Sequence, residues 1–196
     1  LTAAAAVVVR GNHDKAVSSL DDLDWFNDVA RAALLWTRQQ LDSAALQRLA
    51  SWPRGPVVHD GRLLLCHGSP MDEDLYVTRP ADAQSCLRYL RERHPGIDLC
   101  FFGHTHVPVV IPEGGRPQAL GDGVRVALEP GRAYLINPGS VGQPRDRVPE
   151  ASFGLLDDGE MAYTHFRVPF AIEAVQEKIR AAGLPAVLAD RLALGV

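Results

Sequence analysis

Leu99-Cys100-Phe101-Phe102-Gly103-His104-Thr105-His106 is the stretch on which the fold turns. Four apolar residues followed by Gly-His-Thr-His read as a short buried strand that carries two imidazoles to a loop at its carboxyl end. Two other places repeat the pattern. Residues 62–66 run into His67-Gly68-Ser69-Pro70, and the β-branched run 7–9 runs through Arg10 into Gly11-Asn12-His13-Asp14. In α/β architectures ligands collect beyond the carboxyl ends of strands, where loops converge on a rigid sheet, so these three loops are expected to share one site. A glycine beside each ligand lets backbone approach a bound ion or phosphate closely.

Working outward, Asp60-Gly61 between the apolar runs 57–59 and 62–66 predicts a β-hairpin. Helices are expected over 24–40, over 43–52 with Ser43 as the cap and Pro53 as the stop, and over 80–94, closed by Pro95-Gly96. From residue 107 onward, short strand-like runs alternate with Gly114-Gly115, Pro130-Gly131 and Asp158-Gly159, which predicts a largely antiparallel region. A helix over 171–182 and a shorter one after Pro185 finish the chain. No repeat or low-complexity linker interrupts it, so residues 1–196 read as one domain of mixed α/β class, two packed sheets flanked by helices.

Composition excludes several classes. With 196 residues, 46% hydrophobic and 22% charged, the chain can bury a substantial core. A net charge of −4 leaves no basic surplus for nucleic acid, which is disfavoured as a partner. Cys66, Cys86 and Cys100 are odd in number and not closely paired, which fits a reducing compartment and no zinc ribbon. No apolar run approaches the ~20 residues of a membrane span, and the Ala-rich opening lacks a basic region before it, so a soluble cytoplasmic protein is expected. The chain starts at Leu1 and enters apolar residues without a cap, so residue 1 is not expected to be a natural N-terminus.

Imidazoles and an amide oxygen suit Mn²⁺, Fe²⁺, Zn²⁺ or Co²⁺, and the lack of thiolate pairs argues for a catalytic rather than a structural metal. Taken singly, each loop has a plainer reading: a turn with a solvated His13, an exposed strand face bearing His104 and His106, a core histidine at His67. Their joint occurrence at three strand ends favours the metal. His59, His94 and His165 read as surface residues, Cys66 and Cys100 as small buried hydrophobes, and Asp72-Glu73-Asp74 as a solvated loop first and a contributor near the site second. Ser69 has no nearby base and no nucleophile elbow.

Gly11-Asn12-His13-Asp14, His67-Gly68-Ser69-Pro70 and Gly103-His104-Thr105-His106-Val107-Pro108 resemble the later signature motifs of the calcineurin-like metallophosphoesterases. Asn137-Pro138-Gly139-Ser140-Val141-Gly142-Gln143-Pro144-Arg145-Asp146 and the ending Gly183-Leu184-Pro185 resemble a prokaryotic phosphodiesterase branch described as diadenosine-tetraphosphatase-like. The resemblance implies a four-layer αββα sandwich with a dinuclear centre at one edge of two mixed sheets. It implies that Asn12, His67 and His104 bind the second metal and His106 the first. His13 would sit beside the scissile phosphate with Asp14 orienting its ring, and Arg145 would contact phosphate. The implied cofactors are two divalent ions, Mn²⁺ foremost, with Fe, Zn, Co or Ni as substitutes. The implied reaction is hydrolysis of a phosphomonoester or phosphodiester, of a small molecule or nucleotide, by a metal-bound hydroxide without a covalent enzyme intermediate.

The family also begins with Asp-x-His and Gly-Asp-x-x-Asp, which supply the bridging carboxylate and two ligands of the first metal. Neither motif precedes Val7. The sequence therefore reads as N-terminally incomplete, and the rival reading is a non-catalytic metal- or phosphate-binding module. A homo-oligomer is a further expectation, with the hairpins over 107–128 as its surface.

Overall fold

The structure, a computed structural model, describes residues 7–196. The strand expected at 7–9 is not formed. Val7, Val8 and Val9 are half-buried with no ladder partner among the described residues, and Arg10 gives its N–H to the Pro53 carbonyl at 2.9 Å. A β-branched run becomes a strand only when another strand lies beside it to take its hydrogen bonds.

A helical unit follows, made of α1 (Asn12–Val17), a 3₁₀ turn (Leu23–Trp25), α2 (Asp28–Gln40) and α3 (Ser43–Ser51). Asn27 caps α2 by accepting from Ala30 N–H at 2.9 Å. Asp42, not the expected Ser43, caps α3 by accepting from Ala45 N–H at 2.7 Å. A carboxylate at that position also complements the positive end of the helix dipole. These helices close on Ala16, Val17 and Leu34, with Phe26, Leu46 and Leu49 packed around them.

The hairpin forms as its turn chemistry requires. β1 (Val57–His59) pairs antiparallel with β2 (Leu63–Leu65), Asp60 and Gly61 both have positive φ, and Arg62 N–H closes the turn on the His59 carbonyl at 3.1 Å. Next comes α4 (Pro80–Arg93), opened by a proline in its first turn and followed by Gly96 at φ 88. The remaining strands are β3 (Leu99–Phe101), β4 (Val109–Pro112), β5 (Gln118–Ala119), β6 (Arg125–Ala127), β7 (Tyr134–Asn137), β8 (Ala151–Asp157) and β9 (Ala162–Val168). Helices α5 (Ile172–Ala181) and α6 (Ala186–Leu194) pack on each other at the end of the chain.

The strands make two sheets, as the α/β reading with two packed sheets expects. The larger is mixed, in the order β1-β2-β3-β7-β4-β5, with β2, β3 and β7 parallel. The smaller, β6-β9-β8, is antiparallel. Side-chain alternation along the larger sheet divides the core between its two faces. Leu64, Cys100, Leu135 and Ile111 face α4, where they meet Ala83, Cys86, Leu87 and Leu90. Leu99, Tyr134, Ile136 and Val110 face the smaller sheet, where they meet Leu128 and Tyr163. Each fully buried leucine here contributes about 1.5–3 kcal/mol through its transfer from water.

The outer face of the smaller sheet stays open, with Phe153 stacked on Phe166 at 5.4 Å and Leu155 exposed. The three cysteines are buried and unpaired, as expected of small apolar side chains. Among the described residues no helix is long and apolar enough to cross a membrane.

On the inner side of β9, the ring of Tyr163 lies across Gly154 of β8, and a Cβ there would meet it at 2.1–2.3 Å. Gly154→Ala is therefore expected to destabilise the protein by about 1–3 kcal/mol in urea unfolding. Gly159→Ala, whose new methyl would lie no nearer than 3.5 Å to another residue, should stay within about 0.5 kcal/mol of the wild type.

Candidate metal centre

The site grows from three parallel strands that end together. Beyond β2, β3 and β7 the hydrogen bonding continues: Cys66 N–H donates to Phe101 O at 3.0 Å, Phe102 N–H to Ile136 O at 3.0 Å, and Gly103 N–H to His67 O at 2.7 Å. Asn137, the last residue of β7, is fully buried. Its Nδ2 donates to Gly103 O and to Thr105 Oγ1, both at 2.9 Å, and its Oδ1 accepts from Gly139 N–H at 2.8 Å. These bonds hold a turn in which His104 and His106 both adopt left-handed backbone, at φ 62 and 60. Such a conformation costs about 1–3 kcal/mol per non-glycine residue and persists only where the surroundings enforce it.

The structure brings Asn12, His67 and His104 together. His67 Nε2 lies 3.0 Å from Asn12 Oδ1 and 3.0 Å from His104 Nδ1. Asn12 is the first residue of α1, so Gly11-Asn12-His13-Asp14 opens a helix instead of forming the expected loop. The ring contacts set the tautomers. His104 gives its Nε2–H to the Asp74 carbonyl at 3.2 Å, which leaves Nδ1 as a lone pair aimed at His67. His106 gives its Nδ1–H to the Gln143 carbonyl at 2.7 Å and keeps its Nε2 lone pair free.

The electrostatics agree with a ligand role. Burial, then the charge of His106, lowers the pKa of His67 to about 4. Burial and His67 do the same to His104, and burial and Arg145 to His106, each to about 4. All three imidazoles are neutral at pH 7, so a cation would meet no charged ring; His67, whose Nε2 lies between two acceptors, would have to carry its proton on Nδ1 to offer that atom. The spacing also fits. Donor atoms about 2.1 Å from an ion and at right angles to one another lie about 3.0 Å apart. Counting only His, Cys, Asp and Glu, no group of three converges among the described residues; the third polar atom beside the two imidazoles is the Asn12 amide oxygen. His106 stands apart from that trio.

His13 is exposed on the cleft wall, edge-on to Phe26 at 5.4 Å. Enclosure by the walls, then the charge of Arg145, lowers its pKa, and Asp14 opposes them. Asp14 does not hold the ring. Its carboxylate accepts from Gly11 N–H at 2.9 Å, as a helix-opening acid does, and it acts on His13 through charge alone. Arg145 follows the Asn137 loop, tied by its N–H to the His106 carbonyl at 3.3 Å.

Two readings from the sequence are corrected. The acidic loop is not merely solvated: Asp72 and Asp74 are exposed, but Glu73 is drawn inward, and Glu73 and Asp74 bind the buried Lys15 of α1 at 3.2 and 2.9 Å, with Asp21 adding a third carboxylate at 2.9 Å. Burial works against the Lys15 charge, but its bonds to Asp74, Asp21 and Glu73 outweigh it and hold the ammonium above its usual range. His165 is fully buried, because the register of β9 turns Tyr163, His165 and Arg167 inward. Ser69, passed over as a nucleophile, spends its hydroxyl on the loop, donating to Asp72 O at 2.9 Å. Sequence reasoning missed Tyr76, whose tilted ring lies 3.7 Å from that of His104, and Gln143, Lys15 and Arg191. The cleft in front of these groups has a volume of about 920 Å³ and is lined by Asn12, His13, Tyr76, His104, Arg145 and Arg191 among others.

Residues 1–160 match the calcineurin-like phosphoesterase superfamily domain. The chain belongs to that superfamily. It is 34% identical over 191 residues to the uncharacterised protein MJ0912 of Methanocaldococcus jannaschii, covering 95% of this chain and 74% of that protein. Its fold is similar to a metallophosphoesterase from Sphaerobacter thermophilus, with a TM-score of 0.79 and 38% identity over 96% of this chain and 76% of the other. A hypothetical protein, PH1004 of Pyrococcus horikoshii, shares the fold at a TM-score of 0.75 and 18% identity, covering 100% of this chain and 76% of the other. Membership in the calcineurin-like superfamily agrees with the motif reading and with the gathering of loops at the strand ends.

Asn137→Ala removes the buried amide and leaves Gly103 O and Thr105 Oγ1 without their donor. Urea unfolding is expected to show a loss of about 1–3 kcal/mol. An unchanged midpoint would contradict the part assigned to Asn137.

Proposed function

We propose that this calcineurin-like protein hydrolyses phosphomonoesters or phosphodiesters of a small molecule or nucleotide at a site for two divalent ions, Mn²⁺ foremost. What supports this most is the approach of Asn12 Oδ1, His67 Nε2 and His104 Nδ1 around one point, with the two rings neutral. Asn12, His67 and His104 would hold one ion, and His106, aimed by Gln143, would contribute to the other. Ions bound there supply Lewis acidity at the phosphoryl oxygens and bring the pKa of a bound water toward neutrality.

The chain's own groups do the rest. His13, poised on the cleft wall, is assigned the charge developing on the leaving oxygen. With its pKa lowered it is neutral at pH 7 and meets that charge with an N–H hydrogen bond; as the pH falls it becomes able to donate the proton outright. Arg145 adds fixed positive charge beside it. Tyr76 lies against the His104 ring, tilted to it by 39°. A second reading, a binding module without turnover, is favoured by one observation: among the described residues no carboxylate is bonded to His106.

The test is hydrolysis of p-nitrophenyl phosphate and its bis ester with Mn²⁺ added, for this chain and for the longest product of its reading frame. Metal-dependent turnover that falls by about 10²–10⁴-fold in His13→Ala is expected. Mn²⁺ uptake with no turnover in either chain would replace the hydrolase with the binding module.

A further inference from the structure

The motif residues leave one feature of the cleft unexplained: two arginines with no counter-ion among the described residues. Arg145 comes from the loop after β7 and Arg191 from α6, and both line the cavity beside His13. Among the described residues neither forms an ion pair, and Arg191 Nε is shut off from solvent with no hydrogen-bond partner. The acids next to them in sequence are engaged elsewhere: Asp146 pairs with Arg167, and Asp190 with Arg180 at 2.8 Å. Within the cleft, Asp21 and Asp74 are taken by Lys15, each at 2.9 Å, and the third lining acid, the exposed Asp28 of α2, pairs with neither arginine.

Helix α6 is fastened so that this arrangement persists. Gly195, left-handed at φ 63, ends the helix and accepts Arg147 N–H at 2.9 Å, and a Cβ on it would meet Val148 N at 2.8 Å. The helix end and the loop that bears Arg145 therefore move as one piece. Burial, then the neighbouring charge of Arg145, lowers the pKa of Arg191, which agrees with two like charges held near each other in a partly dry site. Such a pair is unfavourable until an anion meets it. Guanidinium groups present paired N–H donors that match phosphate oxygens.

We infer that Arg145 and Arg191 form a subsite for a second phosphate, so that the preferred substrates carry another phosphate next to the scissile one, as phosphoanhydrides and bisphosphates do. The inference rests on the phosphoesterase reading for the identity of the scissile group, while the subsite itself can be measured without turnover. Arg191 acts as a specificity residue contributed by the last helix of the chain.

The experiment is calorimetric titration of the full chain as isolated, first with inorganic pyrophosphate and then with inorganic phosphate. Wild type is expected to bind pyrophosphate more tightly than phosphate. Arg191→Met should weaken pyrophosphate binding by about tenfold or more, and Arg191→Lys, which keeps the charge without the fork, by less. Thermal unfolding of both variants reports their folding, and Arg191→Lys carries the comparison if the methionine variant melts early. Equal binding of the two anions by wild type, or pyrophosphate binding unchanged in both variants, would overturn the subsite. If pyrophosphate binding depends on Arg191 while the chain turns over no phosphoester, the subsite stands and the hydrolase reading fails. If p-nitrophenyl phosphate is hydrolysed while pyrophosphate binding ignores Arg191, the subsite alone fails.

Discussion

Everything at the site depends on the lateral hydrogen bonding that continues past the ends of β2, β3 and β7. Strand pairing normally fades where strands stop, and a loop released there would be free to wander. Here Gly103 N–H reaches the His67 carbonyl at 2.7 Å, and the buried Asn137 amide ties Gly103 to Thr105 at 2.9 Å each. The loops that carry His67, His104 and His106 are therefore extensions of the sheet. The larger core beneath them, Leu64, Cys100 and Leu135 against α4, gives that sheet its rigidity.

Rigidity is needed because the geometry at these loop ends is unfavourable in isolation. Two left-handed histidines flank a single threonine, and three nitrogen or oxygen donors face one another at close range. The fold tolerates both through contacts with backbone carbonyls: Asp74 O takes the far nitrogen of His104, and Gln143 O takes the near nitrogen of His106. Each carbonyl fixes a tautomer and so decides which lone pair faces inward. The Asp74 loop is fixed in turn by Lys15, which also anchors α1 and hence Asn12. One buried ammonium thus couples the helix that carries Asn12 to the loop that orients His104.

Much of this was legible in the sequence. Asp60-Gly61 announced a turn with two positive φ values, and the apolar runs at 62–66 and 99–102 announced strands that run into His67 and His104. Other features depended on partners that local pattern cannot name. Residues 7–9 have strand composition, but strand formation needs a neighbour to bond with. Asp72-Glu73-Asp74 looks solvated until Lys15, 58 residues before Glu73, is seen to lie against it. The β9 sequence Ala-Tyr-Thr-His-Phe-Arg-Val can be read with either face inward, and only the packing of Tyr163 into the core between the sheets turns His165 inside. Arg191 sits in an unremarkable amphipathic helix, and its relation to Arg145 exists only after α6 docks through Gly195.

On the proposed function, Asn12, His67 and His104 form one cation cage. The most direct measurement is the anomalous difference map of a crystal soaked in Mn²⁺, collected at a wavelength where manganese scatters anomalously. A peak in contact with Asn12 Oδ1, His67 Nε2 and His104 Nδ1 together is expected. Manganese bound elsewhere, with those three atoms left hydrogen-bonded to one another, would contradict it.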